Sequence, residues 1–118
     1  MEYVMLIYNS EERWEALSEA EQGKIMAAHQ AIMEQSEKEG TYRGGNRLLD
    51  VVSATTVRNH DGKITVTDGP FAETKEQLGG YCVFEYDSID TVIGYAAQLP
   101  HDDVGSVEIR LVFPDPMA

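Results

Sequence analysis

The chain of 118 residues and 13.1 kDa is long enough for one domain and too short for two. With 42% hydrophobic and 25% charged residues it has the balance of a chain that folds around one core, which excludes disordered and fibrous classes. Nine Lys and Arg against 21 Asp and Glu leave a net charge of −12, so the surface repels phosphate backbones and anionic membranes, and neither nucleic acid nor membrane is expected as a partner.

Residues 2–8 (EYVMLIY) read as a strand that is apolar on both faces and therefore central in a sheet. This longest apolar run falls far short of the roughly 20 residues of a membrane span. Met1-Glu2 puts no basic stretch ahead of it, so no secretory signal is expected. Residues 11–17 form a first helical turn. Ser18-Glu19-Ala20-Glu21 then has the capping-box pattern, and Ile25, Met26, His29, Ile32, Met33 and Ser36 follow at helical spacing. The spacing predicts a helix over 18–39, with Gly40 in the left-handed position just past its end. Residues 42–49 read as a strand kinked or bulged at Gly44-Gly45. From Thr55 to Thr67 two β-branched runs flank Asp61-Gly62, the chemistry of a two-residue hairpin turn. Residues 80–86 (GYCVFEY) are another buried strand. Cys82 lies within it as a small hydrophobe and, having no second cysteine to pair with, points to a reducing cytoplasm. Asp87-Ser88 caps a helix over 88–99 whose face is Ile89, Val92, Ile93, Ala96 and Leu99, and Pro100 ends it. His101-Asp102-Asp103 reads as a loop. Val107, Ile109, Leu111 and Phe113 alternate with Glu108, Arg110 and Val112 as a last strand, and Pro114 and Pro116 mark a fraying tail.

This order predicts an α+β fold with two helices on one face of an antiparallel sheet, as a single domain over 1–118. The other sheet face keeps apolar side chains from Tyr3–Tyr8. A second copy is the economical cover, so a two-fold homodimer is expected.

Val66-Thr67-Asp68-Gly69-Pro70-Phe71-Ala72-Glu73-Thr74-Lys75-Glu76 is an unusual run. It resembles the signature of the DGPF branch of the YCII-related proteins. Trp14, His29, Ala54–Arg58, Gly79-Gly80-Tyr81 and Val107–Arg110 agree in order, so the resemblance spans nearly the whole chain. It implies a ferredoxin-like fold that dimerises through its sheets as a dimeric α+β barrel. It also implies an unassigned activity for which a His/Asp pair has been proposed, and an association with extracytoplasmic-function sigma factors. The chain departs from the pattern at Tyr95, where members often carry Trp, and at Leu111-Val112-Phe113, where they often carry Pro-Val. Both read as packing changes that bear on pocket shape.

His29 lies on the apolar stripe of the long helix. It is either a core histidine bonded to a carbonyl or carboxylate, or a general acid or base that titrates near neutral pH. The related His/Asp proposal falls on a first-helix histidine and so adds weight to the second, with both readings left open. Asp68 is either a turn-stabilising acceptor before Gly69-Pro70 or a carboxylate held at a strand end toward a cleft, and is paired here with His29. Residues 41–67 carry Arg43, Arg47, Arg58 and Lys63 against Asp50 and Asp61, a local excess of positive charge that suits either a solvated strand pair or a small anion. Arg47, Arg58 and Arg110 are the candidate anion-binding groups, with Glu73 at the cleft mouth. No metal or organic cofactor is expected, since His29, His60 and His101 lack ligand spacing and no nucleotide fingerprint is present. Two function classes follow. One is a cofactor-free acid/base enzyme, a lyase or hydrolase, acting on a small anionic molecule. The other is a non-catalytic ligand-binding or accessory module linked to a sigma factor system.

Overall fold

A computed structural model describes residues 1–100 and 104–114 of the chain. The residues 101–103 and Pro116, read above as loop and tail, lie outside the described residues. Strand β1 (Glu2–Asn9) sits inside a four-stranded antiparallel sheet, as its two apolar faces require. It is flanked by β5 (Gln77–Glu85) and β6 (Gly105–Leu111), and β2 (Tyr42–Arg47) closes the far edge, giving the order β2-β5-β1-β6. This is the ferredoxin-like arrangement.

Alternation along β1 sorts the two faces. Tyr3, Met5 and Ile7 are buried beneath the helices, and their partners Phe84, Cys82 and Gly80 on β5 share that side. Val4 and Leu6 point the other way, beside Val83, Glu108 and Arg110, on a face that no helix among the described residues covers.

Helix α2 (Glu19–Glu39) begins in the expected capping box. Ser18 Oγ accepts from the Glu21 amide at 3.1 Å, and the Glu21 carboxylate accepts from the Ser18 amide at 3.1 Å. It ends at Gly40, whose φ of 73° only a residue without Cβ adopts cheaply. Ile25, Ile32 and Ser36 form its buried stripe, and Ser36 satisfies its hydroxyl on the carbonyls of Ile32 and Met33. Helix α3 (Ile89–Gln98) buries Val92 and Tyr95, with Leu99 just beyond its end. Ile89 and Ile93, expected on the buried side, are exposed instead. The core-facing stripe runs 92, 95, 99, and at 100° per residue positions 89 and 93 fall on its flank.

Tyr95 therefore belongs to the core. Its ring lies 5.4 Å from that of Phe84, and its hydroxyl lies 2.5 Å from that of Tyr86. Both hydroxyls donate to the Glu39 carboxylate, at 3.2 and 2.7 Å, tying the end of α2 to α3. Burial pushes the Tyr95 phenol well above its usual range, so it remains a donor. Hydrogen bonds from Gln35, then Tyr86, hold the Glu39 carboxyl below its usual range.

Two departures from the expected layout concern the middle of the chain. The segment after β1 makes a complete short helix, α1 (Glu11–Ala16), so the described residues hold three α-helices where two were counted. The hairpin forms as predicted, β3 (Thr55–His60) and β4 (Lys63–Asp68) around Asp61 and Gly62, both with positive φ. It does not join the main sheet, however, but stands as a separate two-stranded sheet. Every residue of β4 is exposed. No helix among the described residues is long and apolar enough to cross a membrane.

Gly44-Gly45 carries the predicted irregularity. The β2–β5 register slips between Tyr42 and Gly44, and β2 runs very close to β5. A Cβ on Gly45 would stand 2.4 Å from the Tyr81 carbonyl oxygen and 3.0 Å from Cys82 Cα. Both obstacles are backbone, so Gly45→Ala must push β2 away from β5. A loss of about 1–3 kcal/mol is expected in thermal or urea unfolding.

Candidate functional site

A cavity of about 250 Å³ opens on the helix side of the sheet, at the end where β1 finishes and β5 begins. Its roof is the middle of α2, which presents Ile25, Met26, His29 and Met33. Its floor is the sheet itself, at Ile7, Gly80 and Cys82, with Tyr42 and Gly45 from β2. Glycine at 45 and 80 leaves this floor low, which keeps space beneath the helix open.

His29 lies one turn after buried Ile25 and three residues before buried Ile32, at the margin of the helix stripe. That margin explains its half-buried state. The residue forms part of the wall of the cavity.

Arg47, the last residue of β2, stands at the mouth. Its guanidinium lies 5.6 Å from the centre of the Trp14 ring, a cation–π contact worth about 0.5–1 kcal/mol at an exposed position. Among the described residues no other Arg or Lys lines the cavity. The rim is tied to α1 by Glu11. Its carboxylate accepts from the Val51 amide at 2.9 Å, and its own amide donates to the Gln77 side chain at 3.0 Å. Leu48 N donates to the Gly79 carbonyl at 2.8 Å, which holds the start of the same loop against β5.

The cavity is mainly apolar, with the Arg47 guanidinium, the Glu11 and Asp50 carboxylates and one imidazole among its walls. Burial pushes the Cys82 thiol up, so it stays protonated at neutral pH and does not offer a thiolate nucleophile. Burial also pushes the Tyr42 phenol up, so Tyr42 offers a neutral hydroxyl. The group suited to moving a proton near neutral pH is His29. Among the described residues no cluster of three or more His, Cys, Asp or Glu side chains is placed to hold a metal ion.

Of the residues singled out from the sequence, the structure brings together His29 and Arg47. Asp68 is not among the cavity walls. It ends β4, exposed, opposite Thr55, because the hairpin is a sheet of its own. Arg58 lies on the same hairpin and donates to the Phe71 carbonyl at 3.1 Å. Glu73 is exposed in the following loop. Arg110 pairs with Val4 and so lies on the uncovered face, across the sheet from the cavity. The carboxylates on the cavity walls are Glu11 and Asp50. Sequence reasoning assigned no role to Glu11, Trp14 or Tyr42. They converge from α1 and β2, and nothing in their spacing announces it.

Fold and cavity together define a ferredoxin-like α+β protein with a pocket between its long helix and the open edge of its sheet. The YCII-related domain profile matches residues 1–115, and the chain belongs to that family. It is 35% identical over 112 residues to an uncharacterized protein of Rhizobium meliloti (strain 1021), covering 93% of this chain and 90% of the relative. Among solved structures it resembles 5-chloro-2-hydroxyhydroquinone dehydrochlorinase from Burkholderia phenoliruptrix AC1100, crystallised with 2,5-dihydroxybenzoquinone. The TM-score is 0.57 and the identity 13%, over 99% of this chain and 98% of the other. That likeness is one of fold.

Proposed function

We propose that this chain is a cofactor-independent acid/base enzyme of the DGPF branch, acting on a small anionic molecule. The observation that carries the reading is the presence of His29 and Arg47 on the walls of one apolar cavity. A guanidinium at the mouth anchors a carboxylate or phosphate through paired N–H donors. The apolar floor accepts the carbon skeleton. The imidazole takes a proton from the bound molecule in one step and returns it in the next, so no group needs replacing between turnovers. Asp50 and Glu11 take the place first assigned to Asp68 as the carboxylates of the site.

The active form in this reading is a homodimer joined through the uncovered sheet faces, as in a dimeric α+β barrel. Val4, Leu6 and Val83 lie on that face and a second copy buries them. Light scattering should give about twice the 13.1 kDa chain mass. A monomer at micromolar concentration would remove the dimer from the proposal.

The chain has one tryptophan, and Trp14 lines the cavity, so its fluorescence reports on the site. Benzoate, an apolar ring with one carboxylate, serves as the probe. Saturable quenching or a spectral shift is expected, and Arg47→Ala should weaken binding by about tenfold, the worth of one charge-assisted contact. Equal binding by the variant would show that Arg47 does not anchor the anion.

A further inference from the structure

We infer that the molecule held at this site is a small amino carboxylate, with an ammonium group beside its carboxylate and an apolar remainder; the inference rests on the anchoring role of Arg47 proposed above, the carboxylate being the anion of that reading. Two opposite charges on the cavity wall point to it, because they do not use each other. Arg47 and Asp50 both line the cavity and both are exposed. Among the described residues the Arg47 guanidinium has no carboxylate partner, and its contact is the Trp14 ring. Stacking occupies one face of the guanidinium plane and leaves its N–H edges for an acceptor.

Asp50 is left available by an exchange of roles. It precedes the 3₁₀ turn Val51–Ser53, a position where aspartate usually accepts from the backbone amides that follow. Here its side chain makes no such bond. Glu11 reaches across from α1 and takes the Val51 amide at 2.9 Å, and the Ser53 amide donates to the Asp50 carbonyl at 3.0 Å. Glu11 is thus the carboxylate that holds the rim together, and the Asp50 carboxylate has no hydrogen bond or ion pair among the described residues. The segment that carries both charges is held on either side. Arg47 pairs with Gly80 in the sheet, Leu48 N donates to the Gly79 carbonyl, and Val51 N donates to Glu11. The Trp14 carbonyl in turn accepts from the Gln22 side chain at 2.8 Å, which steadies the surface under the guanidinium.

These charges describe a ligand. A carboxylate pairs with the Arg47 fork, and an ammonium next to it reaches Asp50, each through a charge-assisted bond. A simple anion satisfies the first group and is repelled by the second. The remainder of the molecule enters the apolar part of the cavity. A cavity of about 150 Å³ holds a benzene ring, and the volume of about 250 Å³ here adds the space that a charged head group requires.

The test uses two molecules that differ at one position. Phenylacetate carries a ring and a carboxylate, and phenylglycine adds an ammonium on the carbon between them. Both are titrated at neutral pH against Trp14 fluorescence, on the unaltered chain and on Asp50→Asn, which keeps the shape of the side chain and removes its charge. The unaltered chain should bind one enantiomer of phenylglycine at least about tenfold more tightly than phenylacetate. In Asp50→Asn that preference should disappear through loss of phenylglycine binding, and phenylacetate should bind at least as tightly as before. Phenylacetate bound as tightly as both enantiomers overturns the inference and leaves Arg47 as an anchor for simple anions. A preference that survives Asp50→Asn overturns it too, since the ammonium is then held elsewhere. Benzoate bound with neither of the two molecules has the same consequence. Failure of all three to bind overturns the anion-binding reading of the site as well. The first comparison uses the unaltered protein and decides without the variant.

Discussion

His29→Gln should leave the protein folded and abolish substrate-dependent turnover, a loss of about 10²–10⁴-fold in rate, the usual contribution of a positioned acid or base. Glutamine approximates the size and polarity of the ring without titrating near neutral pH. The side chain is half-buried at the margin of the α2 stripe and forms part of the cavity wall, so the substitution enters a space that has room for it. Wild-type turnover should follow the protonation of one imidazole as pH is varied, and the residual activity of the variant should not. Exchange for deuterium of the carbon-bound protons next to the carbonyl of a small 2-oxo acid in D₂O, followed by NMR, gives the rate. If His29 is a core histidine only, the variant instead loses about 1–3 kcal/mol of stability with its buried hydrogen bond and keeps its chemistry. Benzoate binding without His29-dependent turnover would favour the non-catalytic module linked to a sigma factor system.

Phe84→Ala should cost about 3–5 kcal/mol, the range for removing a large aromatic side chain from a packed interior. Phe84 is fully buried, on β5 next to the centre of the sheet. Its ring touches three others: Tyr95 at 5.4 Å, Tyr42 at 6.0 Å in an edge-on arrangement, and Tyr86 at 6.3 Å between centroids. Three elements thus lose contacts at once. The void would open beside the Tyr86 and Tyr95 hydroxyls and the Glu39 carboxylate they hold, so the clamp between α2 and α3 loosens as well. Phe84→Leu, which refills most of the space, should recover the greater part. Urea unfolding of the three proteins at one fixed concentration measures this. A cost below about 1 kcal/mol for Phe84→Ala would mean that the sheet and helices are held mainly elsewhere.

Much of the fold was legible in single stretches of chain. The alternation in β6, the apolar run of β1, the capping box at Ser18 and the Asp61-Gly62 turn each act over a few residues. Local sterics and hydrogen bonding decide such features, and the structure has them within two or three positions of where they were expected. Boundaries moved where a partner strand sets them: β5 starts at Gln77 rather than Gly80 because β1 extends to Asn9 and pairs with it there. The site was legible in part. His29 stood out as a polar ring on an apolar stripe, and Arg47 as a base beside a glycine kink. Asp68 carried a strong motif, yet it is not among the walls of the cavity. Whether the hairpin joins the main sheet depends on contacts between distant residues, which no local pattern encodes.

The sequence by itself determined the elements, their order, the α+β class and the family, because these rest on periodicity, turn chemistry and a run of matching residues. Only the tertiary structure decided that Trp14, His29, Arg47 and Cys82 share one cavity while Asp68 and Arg110 lie elsewhere. Those residues are brought together by the antiparallel register of β2, β5 and β1 and by the packing of α2 across them. Register and packing are set by the burial of side chains far apart in the chain, so the cavity exists only once the whole core has closed.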